Sequence, residues 1–369
     1  MKDVLKYLTK DEKVYLSLLN LYESMGFDKF KLHKFEDYSL YLKNKSFLTG
    51  EYVLTFTDNN GKLLALKPDI TLSIVKNTKA TACQSEKVYY HENVYRFDKH
   101  SHEYKEISQI GLEVLGNIDE AVEFETVVMA LKSLAAIDED FVLDVSHTAF
   151  FEDVLSALPD GEKFKSQIAE CIRAKNPHDF LRTLEEAGAS NKFAADAAEI
   201  LSFGGDFVKT LSAAAKLDRM PNFSKAAEGL QKLYLRLCEC GFSDKLRLDF
   251  SLLNDTDYYN GIIFQGYVKK VPHSVLSGGR YDRLVKKLGK NGVGGMGFAI
   301  YLSDMSAFYS DEKAAKKQRV IIYGEGDDIN AVEKVADELR QKGFRVRVEK
   351  NPPLGFKQNE IIFFGGELC

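Results

Sequence analysis

The strand-like segment Glu106–Leu115 places an amide and a carboxylate on the same face. Side chains alternate along a strand, so Gln109, Gly111 and Glu113 share one face while aliphatic residues share the other. The glycine between the two polar side chains leaves room for a ligand to approach the backbone closely. A carboxylate in that setting suits an ammonium group or an imidazole N–H. The alternative is a solvent-exposed strand face, which is usually polar as well.

Aromatic residues and glycines that suit a binding pocket follow later in the chain. Tyr258 and Tyr259 are adjacent, and Gly278 and Gly279 come shortly before Tyr281, where a helix is predicted to begin. Paired glycines before a helix often serve only a tight turn. Here they would also let a ligand approach the backbone at the helix N-terminus. We therefore expect these glycines both to shape the chain and to line a pocket.

Composition and charge limit the classes of protein that fit. The 369 residues are 45% apolar and 28% charged, which is ordinary for a soluble globular chain with a sizeable core. The net charge is −5. The sequence shows no stripe of Lys and Arg residues of the kind that would indicate nucleic-acid binding. No run approaches the roughly 18 apolar residues of a membrane span, and the charged N-terminus is unlike a signal peptide. We expect a cytoplasmic protein that contacts neither membrane nor nucleic acid.

The sequence indicates neither a metal site nor a cofactor. The five cysteines are scattered, and Cys238-Glu239-Cys240 lacks the second ligand pair of a zinc site. His102, His147 and His178 are more typical of surface or core positions than of catalysis. No Ser/His/Asp or Cys/His grouping suggests nucleophilic catalysis.

The N-terminal third predicts one helix followed mostly by strands. Thr9–Glu12 has the pattern of a capping box, in which each side chain bonds the free backbone amide at the other end. Residues 27 to 130 favour short strands and turns. Within them, Asn59-Asn60-Gly61 predicts a hairpin between Tyr52–Phe56 and Leu63–Leu66.

The rest of the chain predicts a helical insertion and a small second unit. The stretch from about 150 to 240 is rich in Ala, Glu and Lys, which favours helices. Strands are expected again in Leu246–Val271, with a helix around Tyr281–Leu288. Residues 1–310 would then form one domain, and residues 318–369 a separate α/β unit.

Several segments resemble motifs of one enzyme family. Asp257-Tyr258-Tyr259 and the following Ser277–Asp282 resemble the histidine-recognition signature of histidyl-tRNA synthetase. Leu66–Thr71 resembles a turn of that family, Tyr95-Arg96 its second class II motif, and the Gln109–Glu113 segment its Gln-x-Gly-x-Glu. The segments occur in the family's order, which makes the combination specific although each alone is weak.

The resemblance implies a fold and a histidine pocket. The fold would be α+β, with a mostly antiparallel class II aminoacyl-tRNA synthetase-like sheet flanked by helices. In the family, the acid and threonine matching Asp69 and Thr71 hold the ammonium group of the amino acid, and the arginine matching Arg96 grips its carboxylate. The paired tyrosines close over the imidazole. The implied histidine-binding residues are Asp69, Thr71, Arg96, Gln109, Glu113, Tyr258, Tyr259, Gly278, Gly279 and Tyr281.

The resemblance breaks where the family carries out catalysis. Asn254 and Asp304 stand where the family has arginines that assist amino-acid activation and hold the ATP phosphates. Loss of a preorganised cation removes transition-state stabilisation, and an aspartate repels phosphate. Glu103 stands where the family tends to be basic, and His33 replaces the proline of the first motif. The C-terminal unit is about half the size of an anticodon-binding domain.

A retained pocket with lost catalytic residues resembles the regulatory subunits of ATP phosphoribosyltransferase, the first enzyme of histidine biosynthesis. That resemblance implies a subunit without its own catalysis, and a homodimer formed through the class II domain. It also implies a hetero-octamer with a short-form catalytic subunit, and histidine as feedback effector. The enzyme alternative is a divergent histidyl-tRNA synthetase or another amino-acid-activating paralogue, which would catalyse pyrophosphate exchange. The second alternative is a binding module unrelated to histidine synthesis.

Overall fold

The computed structural model describes residues 8–44, 52–98, 101–202, 205–214, 220–253, 258–303, 305 and 318–365. The chain divides into two units, Met1–Tyr309 and Ser310–Cys369. Ser310–Lys317, whose polar composition predicts a linker, lies outside the described residues, as do Asn254, Asp257 and Asp304.

Helices and strands are mixed along the first unit. Its described helices are α1 (Lys10–Ser24), α2 (Tyr38–Lys43), α3 (Thr71–Asn77), α4 (Glu120–Ile137), α5 (Ala149–Ser156), α6 (Gly161–Arg173), α7 (Pro177–Glu186), α8 (Asn191–Ser202), α9 (Phe207–Ala214), α10 (Pro221–Glu239) and α11 (Asp282–Lys287). Its described strands are β1 (Asp28–Lys29), β2 (Phe35–Asp37), β3 (Thr55–Thr57), β4 (Leu63–Leu66), β5 (Glu86–Asp98), β6 (Glu103–Gly116), β7 (Phe141–His147), β8 (Gly205–Asp206), β9 (Leu246–Leu248), β10 (Ile262–Val268), β11 (Leu276–Arg280) and β12 (Gly294–Tyr301). Among the described helices of the whole chain, none is long and apolar enough to cross a membrane.

A nine-stranded sheet organises the first unit, in the order β1-β5-β6-β12-β11-β10-β7-β9-β8. Its neighbouring strands are antiparallel except for the pairs β1–β5 and β7–β9. The long strands β5 and β6 form a hairpin, which pairs Glu86 with Leu115 at one end and Asp98 with Glu103 at the other. This mostly antiparallel sheet flanked by helices confirms the predicted α+β architecture.

Both faces of β6 are buried where it crosses the sheet. Its aliphatic face joins the main apolar core, to which α1 and α4 also contribute. The opposite face lies beside a second apolar cluster that includes Tyr90 and Tyr281. Gln109 and Glu113, on that face, are only 3% and 2% exposed. The alternative of a solvent-exposed polar face is therefore wrong, and the amide and carboxylate lie in the interior.

Two local predictions are confirmed. The Thr9 N–H donates to a Glu12 carboxylate oxygen at 2.7 Å, and the Glu12 N–H donates to Thr9 Oγ1 at 3.4 Å, which forms the capping box of α1. Strands β3 and β4 pair antiparallel around Gly61, whose φ of 79° is the left-handed conformation that suits glycine.

The expectation of mostly strands up to residue 130 is wrong at its end, because α4 begins at Glu120. Buried residues lie on several sides of this helix, so its apolar positions do not mark a single face. Between residues 149 and 239 the described elements are the helices α5 to α10 and the two-residue strand β8.

The second unit consists of β13 (Gln318–Ile322), α12 (Ile329–Gln341), β14 (Arg345–Glu349) and β15 (Ile361–Phe363). Its three strands are parallel, in the order β14-β13-β15. Ile321 of β13 packs with Val332 and Ala336 of α12, so the core of this unit is small.

Candidate functional site

Glu113 lies at the centre of the candidate site, on the inner face of β6. Its Oε1 accepts a hydrogen bond from Thr71 Oγ1 at 2.7 Å, and its Oε2 accepts one from the Tyr281 hydroxyl at 2.5 Å. Burial raises the pKa of Glu113 to about 8, although the hydrogen bonds from Tyr281 and Thr71 oppose the rise, and the nearby Asp69 carboxylate adds to it. The carboxyl group can therefore change its charge near neutral pH.

Two glycines make room for the Glu113 side chain and its aromatic neighbours. Gly297 on β12 pairs directly with Glu113, and a Cβ at this position would overlap Glu113 Oε2 and the Leu112 carbonyl oxygen. Gly279 on β11 pairs with Gly297, and a Cβ there would lie 2.8 Å from Cδ1 of Tyr259. Gly279 and Gly297 lie next to each other on adjacent strands and leave this part of the sheet without side chains. The side chains of Glu113 and Tyr259 cover it.

Gly278 faces the other side of the sheet. A Cβ at Gly278 would lie 2.7 Å from Cε2 of Phe264 and would overlap Phe298, both of which belong to the main core. Both paired glycines lie within β11 rather than in a turn, so the alternative that they serve only a tight turn before α11 is wrong. Because adjacent strand residues point to opposite faces, only Gly279 opens towards the candidate site.

The space beside Gly111 is also filled by a side chain of the protein itself. The Tyr90 hydroxyl oxygen on β5 would lie 2.6 Å from a Cβ at Gly111. The gap that the sequence suggested for a ligand is therefore filled by Tyr90, which is itself 1% exposed. Burial, followed by the charges of Glu113 and Asp69, raises the pKa of Tyr90, so its hydroxyl stays protonated.

The loop between β4 and α3 brings an acid to the edge of the site. Asp69 Oδ1 accepts a hydrogen bond from the Leu72 N–H at 2.7 Å. Arg96, near the end of β5, donates from Nε to the Pro68 carbonyl at 2.9 Å and places a guanidinium nitrogen 4.0 Å from Asp69 Oδ2. Burial raises the pKa of Asp69, while Arg96 and the backbone N–H groups oppose the rise. A carboxyl group and a guanidinium thus lie side by side, with 14% of the Asp69 side chain and 30% of the Arg96 side chain exposed.

Lys67 supports this loop, although its sequence context did not indicate a role. It is completely buried, and its Nζ lies 3.1 Å from a carboxylate oxygen of Glu92 on β5. Its carbonyl accepts a hydrogen bond from the Tyr95 N–H at 2.8 Å. Lys67 is a charged residue between Leu66 and Pro68, at an otherwise apolar strand end. This position is the sequence signal that could have indicated its role. The ion pair fastens the loop to β5 beside Arg96.

Three tyrosines enclose the site on the side of α11. The rings of Tyr258 and Tyr259 have centroids 4.8 Å apart, and those of Tyr258 and Tyr281 are 6.0 Å apart. Burial is the main cause that raises the pKa of each, and the Glu113 charge adds to it. Their hydroxyls remain neutral near pH 7, so they can donate hydrogen bonds to carboxylates.

The structure therefore gathers most of the sequence-predicted residues around Glu113. Gln109 is buried on the same face of β6, opposite Glu92 on β5 and Tyr301 on β12. The group has two carboxyls and one guanidinium, which suits a ligand that carries an ammonium group and a carboxylate. The residues that face the site are Asp69, Thr71, Arg96, Gln109, Glu113, Tyr258, Tyr259, Gly279 and Tyr281.

The raised pKa of Glu113 predicts how the stability of the ligand-free protein depends on pH. Because the folded-state pKa of about 8 exceeds the ordinary value of 4.5, the folded state binds more protons between these values. The stability that Glu113 contributes to the folded state is fully present below its pKa of 4.5 in the unfolded chain. It is lost as the pH rises through about 8. We expect the melting temperature to fall between pH 5 and pH 9, and to fall less in Glu113→Gln. Equal pH slopes in thermal unfolding of both proteins would contradict this.

Comparisons with known proteins identify the family of the chain. The family model described as histidyl-tRNA synthetase matches residues 2–305. The ATP phosphoribosyltransferase regulatory subunit of Thermoanaerobacter sp. (strain X514) is 32% identical over 297 residues, which cover 78% of this chain and 77% of that protein.

Solved structures share the fold. An ATP phosphoribosyltransferase regulatory subunit/histidyl-tRNA synthetase from Bacillus halodurans C has a TM-score of 0.77 at 19% identity, over 96% of this chain and 93% of that one. The ATP phosphoribosyl transferase (HisG:HisZ) complex from Thermotoga maritima contains a chain with a TM-score of 0.62 at 19% identity, over 78% of this chain and 96% of that one. From the family match and the sequence identity together, this chain belongs to the histidyl-tRNA synthetase family and, within it, to the ATP phosphoribosyltransferase regulatory subunits.

Proposed function

We propose that this regulatory subunit has no catalysis of its own, binds free histidine at the candidate site and thereby controls a short-form catalytic subunit. One observation carries the proposal. The buried Glu113 lies in one group with the partly exposed Asp69 and Arg96, while Asn254 and Asp304 stand where the family has the two arginines that it uses on ATP.

Histidine matches the charges and hydrogen-bonding groups of the site. Its carboxylate would pair with Arg96, and its ammonium group with Asp69 and the Thr71 hydroxyl. Its imidazole N–H would donate to Glu113, and Tyr259 would cover the ring. The contacts with Arg96, Asp69, Thr71 and Glu113 each join a charged group to a partner of opposite charge or to a hydrogen-bonding group, and burial strengthens such contacts.

Arg280, a cation near the site, supports the absence of ATP chemistry. Next to Tyr281, it donates from Nε to Asp282 at 2.8 Å and from a terminal nitrogen to Glu123 at 2.7 Å. Because two carboxylates engage its guanidinium, Arg280 does not replace the arginines that the family has at the positions of Asn254 and Asp304.

Regulation requires only that histidine bind one state of the assembly better than another. A coupling free energy of about 1–3 kcal/mol would make histidine bind one state about 5- to 150-fold more tightly than the other. We propose a homodimer through the first unit and a hetero-octamer with the catalytic subunit. The fold shared with a chain of the HisG:HisZ complex supports a catalytic-subunit partner.

The proposal predicts the outcome of a reconstitution. The purified chain is mixed with a short-form catalytic subunit, and phosphoribosyl-ATP formation is measured with and without L-histidine. We expect activity only in the mixture, and we expect L-histidine to reduce it. D-histidine, which carries the same groups with the wrong handedness, is the matched control and should have little effect.

Other outcomes would contradict the proposal. A mixture that neither co-elutes nor becomes active would rule out the regulatory role. Histidine-dependent exchange of pyrophosphate into ATP by the chain alone would instead favour the divergent-synthetase alternative.

A further inference from the structure

Tyr90 on β5 carries a buried hydroxyl that the fold leaves without a partner. The residue is 1% exposed, and its ring packs in the second apolar cluster with Tyr281. Within the described part of the chain, the Tyr90 hydroxyl makes no hydrogen bond, whereas the Tyr281 hydroxyl donates to Glu113 at 2.5 Å. A buried hydroxyl without a partner destabilises the folded state, and a ligand that supplies the partner removes that cost.

The Tyr90 hydroxyl lies on the face of the sheet that carries the candidate site. Tyr90 pairs with Gly111 on β6, and its hydroxyl oxygen is 2.6 Å from the position that a Cβ on Gly111 would take. That Cβ would point to the same face as Gln109 and Glu113, because alternate residues of a strand share a face. The hydroxyl is therefore part of the floor of the site, beside the strand segment between the amide and the carboxyl group.

The groups around the Tyr90 hydroxyl are those proposed to hold histidine. The charges of Glu113 and Asp69 act on it most strongly, and the tyrosines Tyr301 and Tyr259 are close enough to act on it as well. Glu113 is the proposed partner of the imidazole, Asp69 that of the ammonium group, and Tyr259 the cover of the ring. The hydroxyl thus lies among the residues that would surround the side chain of the ligand.

An imidazole has two ring nitrogens, and Glu113 can meet one of them. The other nitrogen carries a lone pair when the ring is neutral and a proton when the ring is charged. A tyrosine hydroxyl can donate to the lone pair or accept from the N–H, so it suits both forms. Glu113 does not need Tyr90 for its own hydrogen bonds, because Thr71 and Tyr281 each donate to one of its carboxylate oxygens.

We propose that Tyr90 is a specificity-determining residue of the histidine site, whose hydroxyl bonds the imidazole nitrogen that Glu113 leaves free. The inference rests on the proposed function and deepens it, because it states how the site recognises an imidazole. A ring of the same size without nitrogen would leave the buried groups of Tyr90 and Glu113 without partners. Such unpaired groups are an effective way to reject a ligand of similar shape.

Tyr90→Phe tests the proposal, because it keeps the ring and removes only the hydroxyl. The affinity for L-histidine, measured by isothermal titration calorimetry on the full-length chain, should fall about tenfold. The melting temperature of the ligand-free protein should stay unchanged or rise, since the variant loses an unpaired buried hydroxyl. L-β-(2-thienyl)alanine has a five-membered ring without nitrogen. It should bind weakly, and its affinity should be the same for wild type and Tyr90→Phe.

Tyr89→Phe is the matched control on the same strand. Tyr89 is as buried as Tyr90 but faces the main core, and its hydroxyl donates to a Glu23 carboxylate oxygen at 2.6 Å. The same substitution there should give the opposite pattern. The melting temperature should fall because a hydrogen bond is lost, and the affinity for L-histidine should stay unchanged.

The outcomes separate this inference from the proposed function. Wild-type affinity for L-histidine in Tyr90→Phe would overturn the inference, as would a parallel loss of affinity and melting temperature. An equal loss of affinity for the thienyl analogue would also overturn it, because ring packing would then explain the effect. If Glu113→Gln loses affinity and Tyr90→Phe does not, only the inference fails. If the wild-type chain does not bind histidine, the proposed function fails as well.

Discussion

Replacing Glu113 with glutamine should weaken histidine binding about 100-fold or more, which corresponds to about 2.7 kcal/mol. Glutamine has nearly the same shape as a protonated glutamic acid, and its side chain can still bond Thr71 and Tyr281. What it cannot supply is the negative charge that Glu113, with a pKa of about 8, can take on beside a ligand N–H, and charge-assisted hydrogen bonds are the strong ones. The affinity is best measured by isothermal titration calorimetry.

The matched control for this variant is Glu103→Gln. Glu103 lies on the same strand, at its exposed end, and should tolerate the change without loss of affinity. An affinity for histidine that is within threefold of wild type in Glu113→Gln would contradict the assignment of the site. A parallel loss in Glu103→Gln would show instead that the overall charge of the protein governs binding.

Replacing Gly297 with alanine should destabilise the first unit by about 3 kcal/mol or more. The cause is lack of space and not backbone strain, since the φ of Gly297 is outside the left-handed region. A methyl group would overlap both the Glu113 carboxylate and the Leu112 carbonyl oxygen of the neighbouring strand. The backbone oxygen cannot move without breaking the pairing of β6 with β12. The midpoint of chemical denaturation, followed by circular dichroism, measures the effect.

Gly229 provides the control for this prediction. It lies within α10 with open space around it, so Gly229→Ala should stabilise the protein by about 0.5–1 kcal/mol. A denaturation midpoint for Gly297→Ala equal to that of wild type would contradict the packing of Glu113 over β12.

Local sequence determined the features that depend on neighbouring residues. The capping box at Thr9, the hairpin at Gly61 and the shared face of Gln109 and Glu113 follow from spacings of a few residues. The motif resemblance similarly predicted that Asp69 and Tyr259 belong to one site, since their residue types and order carry that information.

Only the tertiary structure decided how these side chains face one another. The hydrogen bond between Tyr281 and Glu113 joins residues 168 positions apart, so it depends on the register of three adjacent strands. The same register places Gly278 against the core, and the register of β5 with β6 brings Tyr90 over Gly111. Strand periodicity gives two faces but does not say what covers either of them. The pKa of Glu113 is raised mainly because the side chain is buried, and burial is a property of the assembled sheet.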